Sequence, residues 1–383
     1  MFDVLLSIVI AFTITFLAIP VIITVAETKK LFDVPDERKV HITPVTPLGG
    51  LGIFAGFIFA CLLTVQFGTA SEFQYFMAAS LVIFFLGLKD DILVISPIKK
   101  FIGQVLAAFM VIYYGGVQIK SMHGFLGLHQ MPEMFSLLLT YFAVIVIINS
   151  FNLIDGVDGL AGSLGLMASS IFGIYFLIID MPAYSILAFS MAASLLAFLI
   201  FNFQPAKIFM GDTGSLLIGL VCAILVIKFI NAANSSDVIY PVAAAPAVGF
   251  AILLIPLLDT LRVFGIRIFY RRSPFSPDRN HIHHILLDKG FSHRAVTLII
   301  VALNFLAIAI IFWARTMFSC TTLIFSAFTF FFAIISLFYY MPSRLPKLVV
   351  AKTNKQDSNG TEVKSSKLIP FSKDAGSILE QKN

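Results

Sequence analysis

The sequence predicts an all-α polytopic membrane protein of about eleven spanning helices, and three observations carry that prediction. Only 12% of its 383 residues are charged, against roughly a quarter in soluble domains. Apolar residues make up 59%, 41 of them Phe, and the mean hydropathy is +0.96. Apolar runs near the length needed to cross a bilayer core of about 30 Å recur along the chain. An ordinary soluble protein is excluded, because so few polar side chains cannot solvate the surface of a chain this long. Helices are the spanning form that fits these runs, since each closes its own backbone hydrogen bonds in lipid.

The runs fall at 4–26, 47–67, 73–88, 101–115, 135–150, 160–179, 183–201, 214–232, 241–264, 295–314 and 320–341. The first has neither the basic start nor the small-residue cleavage site of a signal peptide, so it is read as a membrane helix. Cys61, Cys222 and Cys320 lie in or beside apolar runs without metal or disulfide spacing, and read as small hydrophobes.

Lys and Arg in the loops mark the cytoplasmic side. One face collects Lys29, Lys30, Arg38, Lys39, Lys89, Lys99, Lys100, Lys207, Arg262, Arg267, Arg271, Arg272, Arg279, Lys289 and Arg294, while the other has Lys120, Lys228 and Arg315. With an odd number of spans the N-terminus lies outside and the C-terminus in the cytoplasm. Residues 1–341 then form the membrane domain. Residues 342–383, rich in Lys, Ser, Asn and Asp, form a basic cytoplasmic tail expected to be disordered. Acids contribute little to topology, yet twelve of the seventeen before the tail share the basic face. That mixture suits a polar reaction surface.

Four clusters on this face carry chemistry. Asp90 and Asp91 end the third run in Gly87-Leu88-Lys89-Asp90-Asp91. Adjacent carboxylates repel unless a cation or proton relieves them, which suits a magnesium ligand or a general base. A plain solvated helix end is disfavoured, because acids at a helix C-terminus oppose its dipole. Lys99 and Lys100 follow Pro97, placed either to neutralise phosphate or to anchor a helix at headgroup level. The second cluster is Asn149-Ser150-Phe151-Asn152-Leu153-Ile154-Asp155-Gly156-Val157-Asp158-Gly159. Its spacing of three brings Asn152, Asp155 and Asp158 to one side of any helical turn, although Asp158 alone would serve as a helix cap.

The third cluster, Phe209-Met210-Gly211-Asp212-Thr213-Gly214-Ser215, opens a helix with a carboxylate for metal and with N–H and hydroxyl donors for phosphate. A capped turn would have the same composition. Phe209 stacks on a planar base or simply packs. The fourth is the loop from Arg271 through Arg279 to His281-Ile282-His283-His284. Three histidines invite zinc, but no cysteine is near, and His and Arg suit donors to phosphate or sugar oxygens better. Asp259 and Arg262, three apart, form an intrahelical pair.

In order and sidedness these motifs resemble the polyprenyl-phosphate N-acetylhexosamine-1-phosphate transferase family. The resemblance runs from Asp33-Val34-Pro35-Asp36-Glu37-Arg38-Lys39-Val40-His41 and Pro47-Leu48-Gly49-Gly50 to His293. It implies transfer of a sugar 1-phosphate from a UDP-sugar to undecaprenyl phosphate, with release of UMP, at the cytoplasmic face of the bacterial inner membrane. Magnesium, or manganese in its place, is the implied cofactor; a homodimer is compatible with the resemblance, and nucleic acid has no part in it. Asn152 and Asp212 are the implied metal ligands. Asp90 and Asp91 would orient or deprotonate the lipid phosphate, Asp155 and Asp158 would shape the nucleotide side, and Lys100 would contact phosphate.

The substrate set is completed by Phe209, Arg279, His281, His283 and His284. His281-Ile282-His283-His284 is similar to the sugar-recognition loop of the N-acetylglucosamine-1-phosphate transferases that start surface polysaccharides. Phospho-N-acetylmuramoyl-pentapeptide transferases, the alternative, carry three consecutive histidines where Ile282 interrupts the run here. A multi-pass transporter is the rival from another class, but its ionisable groups would line a path near the midplane, and the acids here gather at run ends.

Overall fold

The computed structural model describes residues 1–31, 45–233, 239–273 and 280–343, and the backbone of two strands at 348–356 and 362–370. The Asp33 to His41 motif and Arg279 lie outside the described residues. Helices are α1 (Phe2–Lys29), α2 (Gly49–Thr64), α3 (Phe73–Ile92), α4 (Pro97–Phe109), α5 (Glu133–Ile154), α6 (Leu160–Ile178) and α7 (Pro182–Asn202). They continue with α8 (Gly211–Ala233), α9 (Ala245–Ile252), α10 (Leu254–Phe269), α11 (Ile282–Asp288), α12 (His293–Ala314) and α13 (Cys320–Tyr340). All eleven apolar runs therefore fold as helix. Among the described residues seven helices are long and apolar enough to cross a membrane: α1, α5, α6, α7, α8, α12 and α13.

The ninth run is not one straight span. It breaks at Leu253 into α9 and α10, which meet at 78° and bring the count to eight if taken as a single span. The physical reason is in the sequence of α10, Leu-Ile-Pro-Leu-Leu-Asp-Thr-Leu-Arg, where Pro256 removes a backbone donor one turn past the break. α2 has 16 residues, and α4 runs on as a single π turn, Met110–Tyr114. A small antiparallel hairpin, β1 (Ser121–Phe125) with β2 (Leu128–Gln130), separates that turn from α5. In the tail, where no regular structure was expected, β3 (Leu348–Gln356) and β4 (Glu362–Pro370) pair antiparallel, Leu348 against Pro370.

Burial sorts the helices. α7 and α8 have 78% of their apolar windows inside the protein, whereas α1 has 17% and turns most of its surface outward. α8 is the central post, packed on α2, α3, α5, α6 and α9. Its first turn is approached by two glycines whose lack of a side chain is essential. A Cβ at Gly87 would lie 2.5 Å from the Thr213 Cα, and one at Gly50 would lie 2.3 Å from the Gly214 nitrogen. The sequence thus lets α2 and α3 touch the backbone of α8 where the Gly211 to Ser215 motif begins.

At the opposite end, Tyr184 donates to Glu72 at 3.0 Å, and the Lys228 ammonium lies 4.6 Å above the Tyr184 ring. The hydroxyl of the buried Tyr184 thus has its partner in an otherwise apolar bundle, as buried polar groups must.

Candidate active site

Four helices bring one polar side chain each to a single point. Asp90 comes from the last turn of α3, Lys100 from the first turn of α4, Asn152 from the last turn of α5 and Asp212 from the first turn of α8. The Lys100 ammonium lies 3.1 Å from Asp90 Oδ2 and 3.2 Å from Asn152 Oδ1, and it also contacts Asp212 Oδ2. Asn152 Nδ2 donates to Asp212 Oδ1 at 2.7 Å and to Ser215 Oγ at 3.0 Å. Pro97 at the first helical position starts α4 sharply after Ser96. Asp90 Oδ1 accepts from the Ile95 N–H at 2.8 Å, so one carboxylate both shapes the turn before Lys100 and faces its ammonium.

The paired aspartates divide their work. Asp91 accepts from Asp212 N–H at 2.7 Å, Thr213 N–H at 3.0 Å and Thr213 Oγ1 at 2.5 Å. Both of its oxygens thus cap the N-terminus of α8, from another helix, where orphan N–H donors and the positive dipole end favour an anion. Gly211, at φ 71°, makes this possible, because a Cβ there would meet the Pro47 carbonyl at 2.1 Å and the Asp91 oxygens at 2.7 and 2.8 Å. The 45–50 segment is laced to the same turn: Phe209 N–H donates to Thr46 O, Gly49 N–H to Phe209 O and Gly50 N–H to Met210 O, at 2.8–2.9 Å. Phe209 therefore holds this junction through its backbone, with its ring partly buried.

The second cluster separates. α5 ends at Ile154, and Asp155 is its C-cap, out of the helical region (φ −77°, ψ 53°). Half-buried beside the site, its carboxyl is pushed up to about 8 by burial, and the charges of Asp212, Asp91 and Asp158 add to the shift. Asp158 does not share a face with Asn152, nor does it cap α6, whose N-cap is Gly159 without a side-chain bond. It turns instead to α12, where Oδ1 lies 3.4 Å from His293 Nδ1 and its carbonyl accepts from Thr297 Oγ1 at 2.8 Å. The spacing of three fails because the helix stops one residue before Asp155.

The histidine loop docks on the other side of the same turn. His283 is buried, with Nε2 beside Gly156, where a Cβ would lie 2.4 Å away. Its ring lies parallel to His281 at 5.7 Å and tilted against His284 at 4.3 Å. Burial holds the His283 ring down at about 3, with neighbouring His284 the next cause. The expected Asp259–Arg262 pair forms at 2.8 Å, and Asp259 also accepts from His281 Nδ1 at 2.8 Å.

Among the described residues no group of three or more His, Cys, Asp and Glu side chains is arranged to hold a metal ion. Asp90, Asn152 and Asp212 are a different case, because Asn supplies the third oxygen and the three already surround a cationic nitrogen. Hard oxygen donors on a carboxylate-rich wall fit a divalent cation that keeps waters or phosphate in its shell. Ser215 also belongs to this wall, and on α4 and α5 the buried Gln104 and Asn149 bond to each other. Ser215 stood inside the sequence motif, whereas Gln104 had no local signal.

Fold and site together define a polytopic membrane protein whose helix ends build a polar, oxygen-rich centre suited to phosphate chemistry. A family model described as glycosyl transferase family 4 matches residues 73–230, the stretch from α3 to α8 that carries Asp90, Asp91, Lys100, Asn152, Asp155, Asp158 and Asp212. Decaprenyl-phosphate N-acetylglucosaminephosphotransferase of Mycobacterium leprae is 35% identical over 311 residues, covering 75% of this chain and 77% of that protein. Undecaprenyl-phosphate alpha-N-acetylglucosaminyl 1-phosphate transferase of Yersinia pestis is 32% identical over 295 residues, 75% of this chain and 78% of its own length. A probable undecaprenyl-phosphate N-acetylglucosaminyl 1-phosphate transferase of Bacillus subtilis is 32% identical over 312 residues, 79% and 83% of the two chains. The chain belongs to glycosyl transferase family 4.

Proposed function

We propose that this protein transfers N-acetylglucosamine 1-phosphate from UDP-N-acetylglucosamine to a polyprenyl phosphate, undecaprenyl phosphate in the first instance, as the membrane step that opens a surface polysaccharide pathway. The observation that carries this reading is the meeting of Asp90, Lys100, Asn152 and Asp212 from four helices at one end of the bundle. The names of the relatives supply the acceptor and the sugar. The loop charges support a bundle with the N-terminus outside and this end in the cytoplasm of a bacterial inner membrane, with about eleven crossings once α2, α3 and α4 are included.

In this reaction an oxygen of the lipid phosphate attacks the sugar-bearing phosphorus of the nucleotide. The phosphoanhydride bond breaks and UMP leaves with the bridging oxygen. Asp90, Asn152 and Asp212 would hold magnesium, which when bound neutralises the pyrophosphate oxygens. Lys100, tethered among these groups, swings its ammonium between the carboxylates and a phosphate oxygen. Asp91 keeps the N-terminus of α8 in place and so fixes where Asp212 points. A phosphate nucleophile is ionised at neutral pH, so positioning and charge neutralisation carry the catalysis. Direct attack is preferred to an aspartyl intermediate, because it needs no covalent step and Asp91 is occupied by three donors of the α8 terminus.

The test compares purified wild type with Asp212→Asn on UDP-N-acetylglucosamine and undecaprenyl phosphate in magnesium. UMP release should fall at least about a hundredfold in the variant while its gel-filtration profile in detergent is unchanged. Wild-type turnover by Asp212→Asn would refute the assignment.

A further inference from the structure

Asp259 lies on α10, just past the 78° break, and is completely buried. A carboxylate is retained in such a place only when its lone pairs are taken, and those of Asp259 are. Oδ1 accepts from Arg262 at 2.8 Å and from the Ile282 N–H at 3.1 Å, and Oδ2 accepts from His281 Nδ1 at 2.8 Å. Arg262 reaches on to the Asn280 carbonyl. One acid therefore pins both the start of α11 and the ring of its N-cap residue, His281.

The geometry on the far edge of that ring is informative. In the tautomer that donates Nδ1–H to the carboxylate, Nε2 is left as an acceptor. His281 is 4% exposed, and its Nε2 has no hydrogen-bond partner. The parallel ring of His283, 1% exposed, likewise leaves Nδ1 without one. The opposite nitrogen of the His283 ring, Nε2, lies against Gly156, and buried ring nitrogens without a partner are costly unless something polar completes them.

We propose that Asp259 is a positioning residue for donor-substrate recognition: by binding His281 Nδ1 it presents Nε2 as an acceptor for an N–H or O–H of the nucleotide sugar. This inference rests on the transferase reading above and adds to it a residue that touches no substrate. Asp fills the role where Asn cannot, since three donors converge on two carboxylate oxygens and an amide offers only one. Asp259→Asn must drop either the α11 anchor or the histidine.

The experiment is a double-mutant cycle on the full-length protein in detergent, with Asp259→Asn, His281→Asn and both together. Initial rates of UMP release are measured against UDP-N-acetylglucosamine and, separately, against undecaprenyl phosphate. His281→Asn keeps an amide near the Nδ1 position and removes the acceptor at Nε2. The expected result for Asp259→Asn is a KM for the nucleotide sugar raised about tenfold, the worth of one hydrogen bond. KM for the lipid should stay within twofold. Adding Asp259→Asn to His281→Asn should raise the nucleotide-sugar KM no further, because the two act through one contact.

The inference is overturned if Asp259→Asn leaves the nucleotide-sugar KM unchanged, if both KM values and kcat move together, or if the two substitutions multiply. Should Asp259→Asn fail to fold, Asp259→Glu replaces it in the same cycle and is held to the same outcomes. Wild type releasing UMP while the cycle multiplies refutes only the role of Asp259. Wild type releasing no UMP from any nucleotide sugar refutes the transferase reading and this inference with it.

Discussion

Replacing Asp91 by Asn tests the division of labour between the paired aspartates. The substitution keeps shape and removes charge. Three donors from the first turn of α8 meet the carboxylate at 2.5–3.0 Å, and an amide can accept from only one side while turning an N–H₂ toward the other. At least one hydrogen bond to a charged acceptor is lost, worth roughly 1.5–3 kcal/mol. The interaction of the anion with the N-terminal end of the helix dipole is lost as well, worth about 0.3–2 kcal/mol. The loss is of order 3 kcal/mol, concentrated on the turn that aims Asp212. A displacement of about 1 Å there costs on the order of a hundredfold in rate.

Two assays read this together: UMP release with UDP-N-acetylglucosamine and undecaprenyl phosphate, and thermal unfolding followed by size-exclusion in detergent. Asp91→Asn should be folded, should unfold several degrees below wild type and should lose about two orders of magnitude in turnover. Asp90→Asn should lose turnover with a smaller change in unfolding temperature, because it gives up one backbone bond and a lysine contact. Wild-type thermal stability in Asp91→Asn would contradict the capping role, and an inactive protein of unchanged stability would return Asp91 to the chemistry.

Other expectations follow from the same geometry. Gly211→Ala forces a side chain into a left-handed backbone position (φ 71°), costing about 1–2 kcal/mol, and against the Pro47 carbonyl 2.1 Å away; unfolding temperature and turnover should both fall. His283 is held down at about 3 by burial, so below the ordinary value near 6.5 the unfolded chain binds the proton that the folded ring refuses. Stability present above that value is then lost as pH falls toward 3, by up to about 1.4 kcal/mol per pH unit. Unfolding temperatures of His283→Gln between pH 7 and 5 should decline less steeply than wild type; parallel curves would refute this. Chelation of divalent cations should stop UMP release, and magnesium should restore it. A chain ending at Pro346 should remain active, and loss of its activity would show that the tail takes part.

Much of this was legible in the sequence because lipid leaves few options: apolar runs must be helices, and all eleven are. Asp90, Lys100, Asn152 and Asp212 stood at run ends, where convergence on one face could be read from loop charge. Other features depend on tertiary contact. Asp90 and Asp91 are adjacent in sequence, yet successive positions on a helix point in different directions, so one faces Lys100 and the other the N-terminus of α8. Asp158 escaped its periodicity because α5 ended before it, and its partner His293 lies far along the chain. The break at Leu253 was concealed by unbroken hydrophobicity, with Pro256 its one local sign. Asp259 read as half of an intrahelical pair, and only the return of the loop at His281 reveals its other duties.

The most direct measurement is product identity. Purified protein is given magnesium, undecaprenyl phosphate and UDP-N-acetylglucosamine labelled on the sugar-bearing phosphate, and nucleotide and lipid products are separated. The account predicts UMP and a labelled lipid pyrophosphoryl sugar in equal amounts. Release of UDP, with the label left on the nucleotide, would contradict it, because the bond broken would then join sugar to phosphate rather than phosphate to phosphate.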